Sequence, residues 1–211
     1  MLTHKPIFER ILKFLRSIDP AVDLHPNLSQ FLWENMKPEP IPAVTQDWYS
    51  CDDMVKKLFY IVRGEVALYT LDEDGNKKVF RIYGENNVVM RNSFLHQLKS
   101  PCYIRVCKGA MLKSLSYQSF EKACQTMPGV KELAYKIAGY YERKELMRND
   151  FICSDTRDCV LKFYKKYPNF LNNNILHEDD VASYLNTSRR NLSRIKNELI
   201  CEGLLKRSWR R

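Results

Sequence analysis

The sequence predicts an α+β fold: a β-roll of the jelly-roll kind, then a long helix, then a compact helical unit. Three observations carry this. Residues 40 to 116 hold short aromatic and β-branched runs cut by turn residues. Beyond Pro128-Gly129, apolar residues recur at alternating steps of three and four. Two short helical patterns then meet at Asn186-Thr187.

Taken in order, Ile7, Phe8, Ile11, Leu12, Phe14 and Leu15 predict a first amphipathic helix, which Asp19-Pro20 ends. Leu28, Phe31, Leu32 and Trp33 predict a second helix before Pro38, Pro40 and Pro42 hold the backbone extended. The stretch LFYIVRGEVALYTLDEDGNKKVFRIY, Leu58 to Tyr83, reads as strand, corner at Gly64, strand, hairpin at Asp72 to Asn76, strand. Runs at 87 to 90, 102 to 107 and 110 to 115 continue the strand spacing. Val130, Leu133, Ile137, Tyr140 and Met147 make a narrow stripe, interrupted by Lys144, of the kind that joins two parallel helices. These five are the expected dimer interface, although a helix lying on its own roll would also carry a stripe. The expected divisions are residues 1–125, a roll with flanking helices; 126–150, the long helix; and 151–211, a C-terminal helical unit.

Composition narrows the function. The 211 residues are 45% hydrophobic and 28% charged, ordinary values for a packed protein. Apolar runs fall far short of the ~20 residues that cross a bilayer, and residues 1–18 mix acid and base, so no membrane contact or export is expected and a cytoplasmic location is. Seven cysteines without a CxxC pair argue against disulfides or a zinc knuckle. Cys102 and Cys107, five apart on an expected strand, point to opposite faces and cannot share a metal without a bulge. The four histidines lack HxH or HExxH spacing, and His96 reads as a loop histidine. No phosphate loop or nucleophile elbow is present, so no enzyme is expected and no cofactor is required.

The net charge of +9 is uneven. From Asn186 to Arg211 there are eight basic and two acidic residues, so 26 residues hold +6 of it. Such a face attracts a polyanion by counterion release. In LHEDDVASYLNTSRRNLSRIKNELI, Val181, Ala182 and Leu185 give one helix its apolar face, and Leu192, Ile195 and Leu199 give the next its own. Asn186 suits the left-handed residue of a tight helix-turn-helix joint, Ala182 allows close contact, and Ser188 suits an N-cap. Arg189, Arg190, Asn191, Ser193, Arg194 and Lys196 then occupy the first two turns, where a recognition helix enters the major groove. Arginine forks onto guanine and asparagine pairs with adenine, while Thr187 and Ser188 suit phosphates.

The succession of GEVALYTLDEDGNKK, a long helix and LHEDDVASYLNTSRRNLSRIKNEL resembles the Crp/Fnr family of bacterial transcription regulators over nearly the whole chain. The resemblance implies a cyclic-nucleotide-binding type of sensor roll and a homodimer along the long helix. It implies a winged helix-turn-helix on a palindromic promoter in double-stranded DNA, with RNA polymerase as a further partner. It makes Ser188 a phosphate contact and Arg189 and Arg194 basic positions of the recognition helix. Many members carry glutamate where Arg190 stands, so the usual half-site is not implied.

In the sensor, GENNVVMRNSFLHQLKSPC matches the family's ligand cassette only in part. Gly84-Glu85 agree, the ribose glutamate is replaced near Met90 or Arg91, and Lys99, before Ser100, stands at the phosphate arginine. Lysine lacks the arginine fork, so Glu85, Met90, Arg91, Lys99 and Ser100 are candidate contacts for an unidentified effector rather than for cyclic AMP. After Gly203 only LLKRSWRR remains, which implies a short or missing wing in which Trp209 packs and Arg210 and Arg211 touch phosphate. The alternative reading is a small-molecule-binding β-roll or metalloenzyme with an incidental basic helical tail.

Overall fold

The computed structural model describes residues 5–89, 92–152, 155–172 and 176–206. In chain order the elements are α1 (Lys5–Ile18), α2 (Leu28–Asn35), β1 (Lys37–Pro38), β2 (Gln46–Tyr49), β3 (Lys57–Arg63), β4 (Val66–Leu71), β5 (Lys77–Tyr83), β6 (Val88–Val89) and α3 (Asn92–Leu95). They continue with β7 (Tyr103–Val106), β8 (Met111–Ser116), α4 (Tyr117–Thr126), α5 (Val130–Ile152), α6 (Thr156–Lys166), α7 (Asn169–Asn172), α8 (Glu178–Tyr184) and α9 (Arg189–Cys201). The chain divides into two compact units, residues 1–66 with 83–143 and residues 67–82 with 144–211.

In the first unit an antiparallel sheet runs β1-β8-β3-β6, and β2 pairs with β7. Leu58 lies opposite Leu115 and Phe59 opposite Ser114. All five residues from Leu58 to Val62 are buried, which is why β3 reads as a continuous apolar run. The corner after it requires glycine: Gly64 has φ +91°, and a Cβ there would lie 2.8 Å from the Ala110 Cα. Ile7, Phe8, Ile11 and Leu15 form the buried stripe of α1. Leu28 and Leu32 do the same for α2. Ile11, Leu15, Leu28 and Leu32, with side chains of β3, α4 and α5, line a partly open apolar cavity of about 80 Å³.

The stripe expected to join two copies is turned inward over much of its length. Leu133 and Ile137 are each 6% exposed and, with Val130, line that cavity inside their own unit. Tyr140 is half-buried, its ring 6.5 Å from Phe14. Of the five expected residues, Met147, 67% exposed, is the one that faces outward. A straight helix of 3.6 residues per turn puts Leu133, Ala134, Ile137, Ala138 and Tyr141 on one face, and all five are buried. The Tyr141 hydroxyl fixes that face by accepting from the Val88 amide at 3.0 Å and donating to Asn87 Oδ1 at 3.2 Å. Among the described side chains of α5, Tyr135 and Leu146 are the other large apolar ones left exposed.

In the second unit β4 and β5 form a hairpin. Its turn is closed by the Asp72 carboxylate, which accepts from the amides of Asp74 and Asn76 at 3.1 and 2.8 Å. The sequence places this hairpin with the roll, and nothing in it announces a link to residues far downstream. Yet Ser183 Oγ accepts from the Val79 amide at 3.0 Å and donates to the Lys77 carbonyl at 2.8 Å. The Arg148 guanidinium donates to the Val79 carbonyl at 3.2 Å, and the Tyr167 hydroxyl donates to the Ile82 carbonyl at 3.1 Å. Side chains thus satisfy strand groups that an edge would leave open. Val160, Phe163, Val181, Leu185, Leu192 and Leu199 form the helical core beside it.

Candidate nucleic-acid interface

The joint between α8 and α9 is made by backbone geometry that the sequence specifies. Asn186 adopts φ +51°. Its amide donates to the Ser183 carbonyl at 3.1 Å, and the Thr187 amide donates to the Ala182 carbonyl at 3.0 Å, which satisfies the last carbonyls of α8. Ala182 is 3% exposed, so the two helices meet over a side chain of one carbon. Ser188 then caps α9, its hydroxyl accepting from the Asn191 amide at 3.2 Å. Leu192 and Leu199 are fully buried and fix which face of α9 is turned out.

That outer face is polar and cationic. Arg190 and Arg194 are exposed, Ser193 is half-buried, and Asn197 extends the same row. Asn197 was not among the expected contacts, although its spacing of three from Arg194 and seven from Arg190 is a visible signal. Arg189 lies at the edge of the face, 3.7 Å from Glu178 and 3.5 Å from Asp179. Arg194 donates to Glu198 at 2.6 Å and to Asn191 Oδ1 at 2.9 Å. Asn191 in turn donates to the Thr187 hydroxyl at 2.9 Å, so the base-reading candidates are held in a relay along one helix. The arginine side chains are 64% and 61% exposed at 189 and 194, so these pairs are weak and exchange readily for another anion.

Lys196 departs from expectation. Its side chain is only 15% exposed and donates to Glu178 at the start of α8. It therefore clamps α8 to α9 rather than joining the outer face, because position 196 lies away from the row of Arg190, Arg194 and Asn197 at 100° per residue. Glu178, Asp179 and Asp180 fill the first turn of α8, where the helix dipole favours acids. This acidic turn partly neutralises the basic face, through pairs between two helices that no spacing within one helix marks. The chain turns back after Gly203 (φ +75°), with Leu205 buried and Lys206 exposed. Trp209, Arg210 and Arg211 lie outside the described residues.

Three of the five candidate effector contacts fall among the described residues. Glu85 and Lys99 are exposed. Ser100 is 1% exposed, and its hydroxyl donates to the Cys102 carbonyl at 2.6 Å, a local turn bond. None of the three lines the apolar cavity of the first unit. Met90 and Arg91 lie outside the described residues. His96 is exposed after α3, its ring 5.7 Å from Tyr135. Cys102 and Cys107 are buried at the two ends of β7. Among the described residues no group of His, Cys, Asp and Glu is arranged to hold a metal ion, and no helix is long and apolar enough to cross a membrane.

Residues 49–127 match the cyclic nucleotide-binding domain family. No curated protein matches the chain in sequence. Among solved structures, FixK2 from Bradyrhizobium japonicum superposes with a TM-score of 0.69 at 16% identity, over 83% of this chain and 90% of its own. The c-di-GMP responsive global regulator CLP from Xanthomonas campestris gives 0.59 at 16% identity, over 85% and 94%. The Thermus thermophilus catabolite activator protein gives 0.54 at 15% identity, over 90% and 88%. At these identities the likeness is one of fold, and it extends over most of the length of both chains.

Proposed function

We propose that this chain, which carries a cyclic nucleotide-binding domain, is a sequence-specific DNA-binding transcription regulator of the Crp/Fnr family. The observation that carries the reading is the pairing of α8 with α9. The left-handed Asn186 and the Ser188 cap leave Arg190, Arg194 and Asn197 outermost on a two-and-a-half-turn cationic face. Arg194 reads a base by its fork, Asn191 and Ser193 line the approach, and Thr187, Ser188 and Arg189 hold phosphate at the start of the helix. Lys196 acts through Glu178, setting the angle between the helices.

The reading includes a homodimer on a palindromic site. Tyr135, Leu146 and Met147 on α5 supply the apolar side chains that such a pairing needs, in place of the buried Leu133 and Ile137. RNA polymerase is a further partner by family resemblance. Cyclic AMP is not the effector: the exposed Lys99 is a point charge where bidentate recognition of phosphate calls for arginine.

The test compares Arg194→Ala with Lys206→Ala on a selected and on a random duplex. Arg194→Ala should lose about 1 to 3 kcal/mol on the selected duplex and relax preference at one base position. Lys206→Ala should weaken both duplexes alike and lower the salt dependence. Equal losses on both duplexes for both variants would refute the base-reading role.

A further inference from the structure

A bonded series of side chains runs from the turn between α8 and α9 to α6 and passes through Arg194. The Thr187 hydroxyl accepts from Asn191 at 2.9 Å, Asn191 Oδ1 accepts from Arg194 Nη2 at 2.9 Å, and Glu198 Oε1 accepts from Arg194 Nη1 at 2.6 Å. The second oxygen of Glu198 lies 3.5 Å from Arg157 Nη1, while Arg157 Nη2 donates to Glu202. On α9 and its cap, positions 191, 194, 198 and 202 follow one another at steps of three and four, so they share one strip of the helix. Arg157 belongs to α6, so the far end of the series is anchored on a different helix from the one that carries Arg194.

An exposed pair of this kind adds little to stability. Its effect here is on direction. A free arginine samples many rotamers, and ordering it on DNA costs affinity that a fork already held does not lose. Asn191 and Glu198 use one donor on each terminal nitrogen of Arg194, which leaves a donor on each for the two acceptors, O6 and N7, of guanine. A phosphate competes for the same guanidinium by charge, and the Glu198 carboxylate beside it repels the phosphate. The arrangement therefore favours a base edge over a backbone contact that carries no sequence information.

We propose that Glu198 and Arg157 determine specificity by positioning Arg194: Glu198 holds its guanidinium for a guanine and away from phosphate, and Arg157 holds Glu198. The inference rests on the DNA-binding reading above and extends it to a residue of α6 that touches no base.

Binding of the full chain to a selected and a random duplex tests it, with the ratio of the two affinities as the readout. Glu198→Gln should bind the random duplex more tightly, with a steeper salt slope. Its preference should fall about tenfold, the order of what immobilising one long side chain costs. Arg157→Gln should lower the preference about threefold, and should lower it no further when added to Glu198→Gln. Were Arg157 only one more cation near the duplex, its loss would weaken both duplexes alike and leave the ratio unchanged. Nitrogen relaxation of the unsubstituted chain without DNA is independent of any variant: the Arg194 Nε–H should be more restricted than that of the exposed Arg190. Equal mobility of the two, or a parent-like preference in Glu198→Gln and Arg157→Gln while Arg194→Ala loses it, would overturn the proposal and leave the DNA-binding reading standing. An unchanged preference in Arg194→Ala would overturn both.

Discussion

Asn186 holds the left-handed conformation that the turn between α8 and α9 requires, with φ +51°. Asn186→Gly should keep both the fold and DNA affinity. Asn186→Val should cost about 1 to 2 kcal/mol and lower DNA affinity with it, read by denaturant unfolding and duplex titration. A valine variant as stable as the parent would mean that the turn relaxes without harm. Glu178 makes a prediction of opposite sign. It is paired with Lys196 and lies 3.7 Å from Arg189, so Glu178→Gln should raise affinity for any duplex a few-fold by uncovering positive charge, and should cost some stability. Anisotropy titration at several salt concentrations would show this as a steeper salt slope. An unchanged slope would mean that these cations are already available to phosphate.

Among the elements, α5 separates two roles along one helix. Leu133 is buried in its own unit, so Leu133→Ala should cost about 2 to 5 kcal/mol of stability. Leu146 is 66% exposed, so Leu146→Ala should leave the stability of the single chain within about 0.5 kcal/mol and weaken pairing in sedimentation experiments. The reverse pattern would contradict the orientation of the helix. α5 is also tied to the end of α1 by Lys136, which donates to Asp19 at 2.8 Å. This hydrogen bond holds the Asp19 carboxyl below its usual 3.8. A depressed acid contributes stability above its unfolded value and loses it as the pH falls through the folded one. Asp19→Asn should therefore lower the melting temperature slightly at neutral pH and leave it unchanged in strong acid. An equal effect at both would exclude the ion pair as the cause.

At the scale of the whole molecule, what the sequence could announce was local. The Asp72 to Asn76 turn, Asn186 and Ser188 act through their own backbone neighbours, so residue type alone identifies them; Gly64 is legible by its left-handed corner, while its close approach to Ala110 is not. The orientation of α5 was not local: a stripe at steps of three and four fits a partner helix and a sheet equally well, and only the burial of Leu133 and Ile137 separates the two. The same holds for Lys196, whose partner Glu178 belongs to another helix, and for Ser183, whose hydroxyl reaches a strand about a hundred residues upstream. The apolar cavity of the first unit is assembled from seven elements, and no motif marks it. The central claim, that α9 reads bases as one of a symmetric pair, is tested most directly by selecting bound sequences from a random duplex pool with the full chain. The account predicts a two-fold symmetric motif whose half-sites lie about one helical turn, ~34 Å, apart. A pool that stays random after repeated selection would contradict it.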